Sequence, residues 1–273
     1  MTVSFTYLQF HLAFLVPAVM LLVVTGFVSR TRITDAAARW TDGWRHYWLG
    51  VAVITVVALA YTTPWDNLLI ARGVWWYGEE RTLATIWEAP IEEYLFIVVQ
   101  PWVTALWLSH LSFSTEWPVA RHPRLSRGGM LVVAAAVGVA GWRWLGTDAT
   151  FYIGAIFAWA APVLALQWAV GAPQLWARRR TVAIGTLLPT LYLCVADRIA
   201  IEYGIWILSE RYTTGVLVAG LPIEEAAFFL VTNLFVVQGL VLYRLVMERW
   251  GIGALTGRIE RMRARSAAEQ PDA

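Results

Sequence analysis

The chain has 273 residues, 59% of them hydrophobic and only 15% charged, and carries a net charge of +2. With a mean hydropathy of +0.57, it lies outside the range of soluble globular domains. Its positive charges are too few to suggest nucleic-acid binding, and the single cysteine, Cys194, excludes an internal disulfide or a thiolate metal cluster.

In chain order, apolar segments of about the 20 residues needed to cross a bilayer fall at 3–28, 46–64, 90–111, 130–146, 150–170, 181–198 and 222–246. They predict an all-α polytopic membrane protein with seven transmembrane helices. The first segment has no basic flank and is too long for a cleavable signal, so it is expected to remain in place. All 21 basic residues are arginines. Fifteen of them follow helix 1 (Arg30, Arg32, Arg39, Arg45), helix 3 (Arg121, Arg124, Arg127), helix 5 (Arg178, Arg179, Arg180) and helix 7 (Arg249, Arg258, Arg261, Arg263, Arg265). The positive-inside rule then predicts a cell-membrane protein with its N-terminus outside and its C-terminus cytoplasmic. Acidic residues show the opposite bias: Asp66, Glu79, Glu80 and Glu88 lie between helices 2 and 3, and Glu202 and Glu210 between helices 6 and 7.

One phrase occurs twice, Pro90-Ile91-Glu92-Glu93 and Pro222-Ile223-Glu224-Glu225, each time opening an apolar helix. The repetition extends further, since Asp66 to Trp75 aligns with Asp197 to Trp206, and Tyr7, Ala13 and Pro17 align with Tyr152, Ala158 and Pro162. The predicted organisation is a first three-helix repeat at 1–112, a linker with helix 4 at 113–149, a second repeat at 150–248 and a basic tail at 249–273. Two parallel repeats of three spans each require one extra crossing between them, which helix 4 supplies. The tail is expected to form a short interfacial helix that frays toward Ala273.

Each repeat thus brings an aspartate (Asp66, Asp197) near a glutamate pair (Glu92 and Glu93, Glu224 and Glu225), among Trp65, Trp75, Trp76, Tyr77, Trp87 and Tyr94 in one half and Tyr203, Trp206, Phe228 and Phe229 in the other. Carboxyl groups crowded in a low-dielectric site cannot all ionise, so one can act as general acid and a neighbour as base. Aromatic faces can stabilise a desolvated cation. The pattern therefore suits acid-initiated carbocation chemistry on an apolar substrate. A plainer reading stands beside it: a proline near the first helical position and acids in the first turn are good helix starts, and interfacial tryptophans commonly act as anchors. His11, His46, His110 and His122 are scattered without metal-ligand spacing, there is no Gly-x-Gly-x-x-Gly dinucleotide motif, and no lysine is present to form a retinal Schiff base.

The doubled Pro-x-Glu-Glu helix starts, Pro64-Trp65-Asp66-Asn67 with Trp75 downstream, Asp197 through Trp206, and the Tyr…Pro pattern of helices 1 and 5 together resemble the membrane-integral lycopene cyclases. That family includes heterodimeric enzymes built from two three-helix polypeptides and their fused single-chain relatives. The resemblance covers nearly the whole chain. It implies a lycopene β-cyclase, an isomerase that converts acyclic ends to β-rings by way of γ-carotene to β-carotene, with no cofactor and no metal. It also implies a proton donor at Glu92 or Glu224, a base among Glu93, Glu225, Asp66 and Asp197, and substrate contacts from Trp65, Asn67, Trp75, Tyr94, Trp206 and Phe228. The implied partners are lycopene, membrane lipid and other enzymes of the carotenoid pathway. The halves differ where Glu93-Tyr94-Leu95 becomes Glu225-Ala226-Ala227 and Asn67 becomes Arg198, which leaves open one shared site or two. A carotenoid hydratase, a proton-coupled carrier and a non-catalytic subunit of the pathway are the alternatives.

Overall fold

A computed structural model describes residues 5–28, 44–111 and 123–250. Helix α1 comprises Tyr7–Phe10, a π-helical stretch His11–Leu15, and Val16–Val28. The others are α2 (Trp44–Ala71), α3 (Ile91–His110), α4 (Pro123–Trp144), α5 (Phe151–Ala177), α6 (Arg179–Glu202) and α7 (Ile223–Trp250). Six of them are long and apolar enough to cross a membrane; α4 is not among these six. The all-α expectation holds. Residues 251–273 of the basic tail and the arginines at 30, 32, 39 and 121 fall outside the described residues.

Two helices run seven residues past their expected C-terminal ends. Helix α2 continues seven residues beyond the expected limit at 64, with Pro64 inside it, so Asp66 is a helical residue and not part of a loop. Membrane helices tolerate an internal proline because neighbouring groups satisfy the freed backbone. Likewise α5 reaches Ala177, kinked at Gly171 where φ is −151° and ψ is 32°.

Helices α3 and α7 form the centre. Helix α3 touches α1, α2, α6 and α7, and α7 touches α5, α6, α2 and α3, so each contact of one has a partner contact of the other. Between them lies a buried polar cluster in which the Asn233 amide oxygen accepts from Gln100 and Thr104 while its nitrogen donates to Thr190 Oγ1 at 3.0 Å. Away from water, each such group must find a partner within the protein.

Six short strands cap one end of the bundle: β1 (Trp75–Tyr77), β2 (Thr85–Ile86), β3 (Ala89–Pro90), β4 (Trp206–Leu208), β5 (Leu217–Val218) and β6 (Leu221–Pro222). β2 pairs with β3 and β5 with β6 as hairpins, each leading directly into α3 or α7. β1 pairs antiparallel with β4, with Trp75 opposite Leu208 and Tyr77 opposite Trp206, and so joins the two halves of the chain. The turn before each of these two strands has a glycine in the left-handed region, Gly73 (φ 75°) and Gly204 (φ 63°), closing α2 and α6 as helix C-caps.

Matching contacts recur across the halves. The Tyr7 N–H donates to Arg81 O at 2.8 Å and the Tyr152 N–H to Tyr212 O at 3.0 Å. Tyr61 Oη donates to Trp159 O at 2.8 Å, tying α2 to α5, and Tyr192 Oη donates to Phe14 O at 2.7 Å, tying α6 to α1. In both acceptor helices a proline three residues on, Pro162 or Pro17, interrupts the backbone ladder at that turn.

Helix α4 packs along α5 through small residues, the usual device for close approach of membrane helices. A Cβ added to Gly141 would lie 2.4 Å from the backbone nitrogen of Ala158. Gly141→Leu is therefore expected to weaken the fold by about 1–3 kcal/mol, the usual cost of overpacking, seen as a lower midpoint of unfolding in a denaturing-detergent titration.

Candidate active site

The hairpins fix the entry of α3 and α7. In the β2–β3 turn, Trp87 adopts φ 61°, a conformation disfavoured by about 1–2 kcal/mol for an L-residue. Asn67 holds it there, because its Oδ1 accepts from the Glu88 N–H at 2.8 Å and the Ala89 N–H at 3.1 Å. Asn67 Nδ2 donates to Thr63 O and to Tyr94 Oη, and Tyr94 Oη donates to Ile86 O at 2.7 Å. In the second half, Arg198 donates to Ala219 O in the equivalent turn, where Ala219 and Gly220 both have positive φ. The substitution of Arg198 for Asn67 thus keeps the clamp and changes its chemistry.

The two glutamates of each pair diverge because consecutive helical residues lie about 100° apart around the axis. Glu92 Oε1 accepts from the Leu83 N–H at 2.9 Å, and Glu224 Oε1 accepts from the Thr214 N–H and Oγ1, both at 2.7 Å. These two turn toward the loops before the hairpins. Glu93 and Glu225 turn toward a cavity of about 50 Å³ between the halves.

That cavity is lined by Asp66, Glu93, Asp197 and Glu225, one aspartate and one glutamate from each half. Asp66 interacts electrostatically with Glu93 and with Glu225 of the other half, and Asp197 with Glu225 and Glu93. The aspartates are 3% and 2% exposed, and neither Oδ2 has a hydrogen-bond donor. Glu93 Oε2, by contrast, accepts from Tyr7 Oη at 2.9 Å and Tyr77 Oη at 2.8 Å. Burial, reinforced by Glu93 and Asp66, pushes the Tyr77 phenol well above its ordinary pKa, which keeps it a neutral donor. Trp75 Nε1 donates to Tyr77 Oη at 3.2 Å and Trp206 Nε1 to Asp197 Oδ1 at 3.0 Å. In the second half Tyr152 interacts with Glu225.

Aromatic rings complete the wall. Trp65 stacks on Trp159 and Phe228 with centroids 4.9 and 5.8 Å away, and Tyr7 meets Trp206 edge-on at 4.9 Å. Of the residues singled out from sequence, Trp65, Trp75, Tyr77, Trp206, Phe228 and Phe229 line the cavity with the four carboxyl groups, whereas Glu92, Glu224, Asn67 and Tyr94 serve the hairpins. Tyr7, Phe10, Phe96, Tyr152 and Leu193 also line it and were not singled out as site residues. The alignment of Tyr7 with Tyr152 was the available signal for two of them.

The family model described as lycopene cyclase matches residues 37–111 and 149–243, well over half of the chain. The chain belongs to the lycopene cyclase family. It is 56% identical over 216 residues to a protein named lycopene beta-cyclase from Halobacterium salinarum, a match covering 78% of this chain and 90% of that protein. Bifunctional lycopene cyclase/phytoene synthases of fungi are also similar: that of Aspergillus oryzae is 29% identical over 86% of this chain and 39% of its own length. The corresponding protein of Pyrenophora tritici-repentis is 35% identical over 69% of this chain and 35% of its own. This family member therefore spans nearly all of the archaeal relative and little more than a third of the fungal ones. No solved structure matches it.

Removing the Asn67 clamp leaves the Glu88 and Ala89 N–H groups without their acceptor. Asn67→Ala is expected to destabilise the β2–β3 turn by about 1–3 kcal/mol, measured as faster amide exchange at Glu88 and Ala89.

Proposed function

We propose that the chain is a lycopene β-cyclase whose two halves build one shared acid–base site. The observation that carries this is the convergence of Asp66, Glu93, Asp197 and Glu225 on a single aromatic-lined cavity. The archaeal relative's name and the family match give the substrate class; the cavity supplies the chemistry.

In this mechanism Asp66 or Asp197 is the proton source. Its unbonded Oδ2 presents the proton to the terminal double bond at an acyclic end of lycopene, leaving a tertiary cation. The neighbouring double bond attacks that cation, closing a six-membered ring and moving the charge onto a ring carbon. Loss of the adjacent ring proton to Glu93 or Glu225 forms the ring double bond, so every atom of the substrate is kept and no electrons are exchanged. The tyrosines orient the accepting carboxylate, while the indole and phenyl faces stabilise the cation. Exclusion of water prevents its capture as an alcohol. Glu92 and Glu224, the donors favoured by the motif alone, act in this proposal by positioning the loops, because their Oε1 atoms hold loop backbone.

The proposed organisation keeps 1–112 and 150–248 as the two repeats, with α4 as a seventh crossing between them. The arginine bias supports a hairpin end outside the cell and a cytoplasmic C-terminus. The fusion of cyclase and synthase in the fungal relatives supports association with other enzymes of the carotenoid pathway.

The test is the pigment profile of a lycopene-accumulating bacterium expressing the chain. Wild type is expected to convert lycopene to γ- and β-carotene. Glu93→Gln with Glu225→Gln should reduce conversion at least about 100-fold, the lower range for removing a general acid–base group, while Glu92→Gln should lose less. Unconverted lycopene in cells holding well-inserted wild-type protein would overturn the proposal.

A further inference from the structure

A second cavity, of about 400 Å³, lies beside the acidic one and is lined largely by apolar side chains of α2, α3, α5 and α7. Phe96 and Phe228 line both cavities, so the two adjoin at those rings. From Phe228 the groove follows α7 to Gly239, eleven residues or about 16 Å along the helix. Tyr61 and Trp159, tied to each other, form part of its wall between α2 and α5. Val57 and Leu166, on opposite lips, are 60% and 66% exposed, which opens the groove sideways to the surface that faces lipid. Its polar groups are turned into the protein, with Gln167 Nε2 donating to Phe235 O at 3.0 Å and Thr232 Oγ1 to Phe228 O at 2.9 Å.

We infer that this groove takes the polyene stem of the substrate from the membrane, and that it is the productive entrance of the two that the repeats would provide. The inference rests on the proposed cyclase reading. A flat, wholly apolar chain matches an apolar slot that adjoins the acidic cavity, and passage between the shared Phe96 and Phe228 rings would bring one terminus to the carboxyl groups. The opposite seam, between α6 and α1, has its own tie at Tyr192 but a different floor. The residue of α3 at the position of Gly239 is Trp107, whose Nε1 donates to Ile184 O at 3.1 Å. An indole therefore lies across the α3–α6 side where the first seam has only a hydrogen atom. With one entrance, the two ends of a symmetrical substrate react one at a time, and the chain must reverse between them.

Two measurements on the full-length protein in nanodiscs test this, using the inactive Glu93→Gln, Glu225→Gln background so that lycopene itself is retained. A photo-crosslinking benzophenone side chain replaces Val57 or, on the opposite seam, Leu188. Pigment attachment is expected at position 57 at least ten-fold above position 188. Separately, Gly239→Trp is expected to lower lycopene binding, read from the induced circular dichroism of its visible band, at least ten-fold, while the lipid-facing control Val132→Trp leaves it unchanged. Equal attachment at both positions, attachment at 188 alone, or lipid acyl chains as the sole adduct at 57 would overturn the groove assignment even if Gly239→Trp fails to fold. Wild-type protein that still cyclises lycopene in that case retains the cyclase reading; wild type that neither binds nor cyclises lycopene removes both.

Discussion

The three-residue pairing of β1 with β4 is the constraint on which the site depends. Strand side chains alternate between faces, so Trp75, Tyr77, Trp206 and Leu208 all point toward the bundle while Trp76 and Ile207 point away, at 45% and 39% exposure. A slip of one residue would reverse every one of them and take from Glu93 the Tyr77 hydroxyl and from Asp197 the Trp206 indole. The ladder is short, but it is extended by Ser209 N to Val74 O and Gly78 N to Ile205 O. Both C-caps feed directly into it. A pairing of six residues therefore sets the separation of four carboxyl groups carried by four different helices.

Much of this arrangement was legible in the sequence. Six of the seven expected spans correspond to long apolar helices, because a hydrophobic run of that length has few other solutions. Of the repeated aspartate and glutamate pairs, Asp66, Glu93, Asp197 and Glu225 line one cavity. The rotational phase of each glutamate was hidden. Glu92 and Glu93 are both acidic, both in the first turn and both preceded by proline, and only the path of the loop before them decides which one meets loop backbone. The six strands were equally hidden, since two- and three-residue ladders carry too little alternation to register against longer apolar patterns. The expected limit of helix 2 at 64 fell short because a proline that ends a soluble helix can be accommodated within a membrane one.

The halves are alike in frame and different in detail, and the differences have distinct physical meanings. Asn67 and Arg198 perform the same clamping with an acceptor in one case and a donor in the other, so the hairpin is conserved between halves while its hydrogen-bond polarity is reversed. Tyr77 faces Glu93, but the matching position in the second half is Leu208, leaving Glu225 with Tyr152 from its own half. The two sides of the cavity thus offer unequal hydrogen-bonding to chemically identical carboxyl groups. Such inequality distinguishes two carboxyl groups that their side chains alone do not.

The tyrosine ties at Trp159 and Phe14 have a mechanical consequence. Both bind a helix from one half to a helix from the other through a single side-chain hydrogen bond, close to the strand-capped end. A bond of this kind is worth about 1 kcal/mol, and releasing it disturbs no backbone ladder. Turning one phenol therefore releases a single seam, while the Asn233 cluster still joins α3 to α7 at the centre of the bundle.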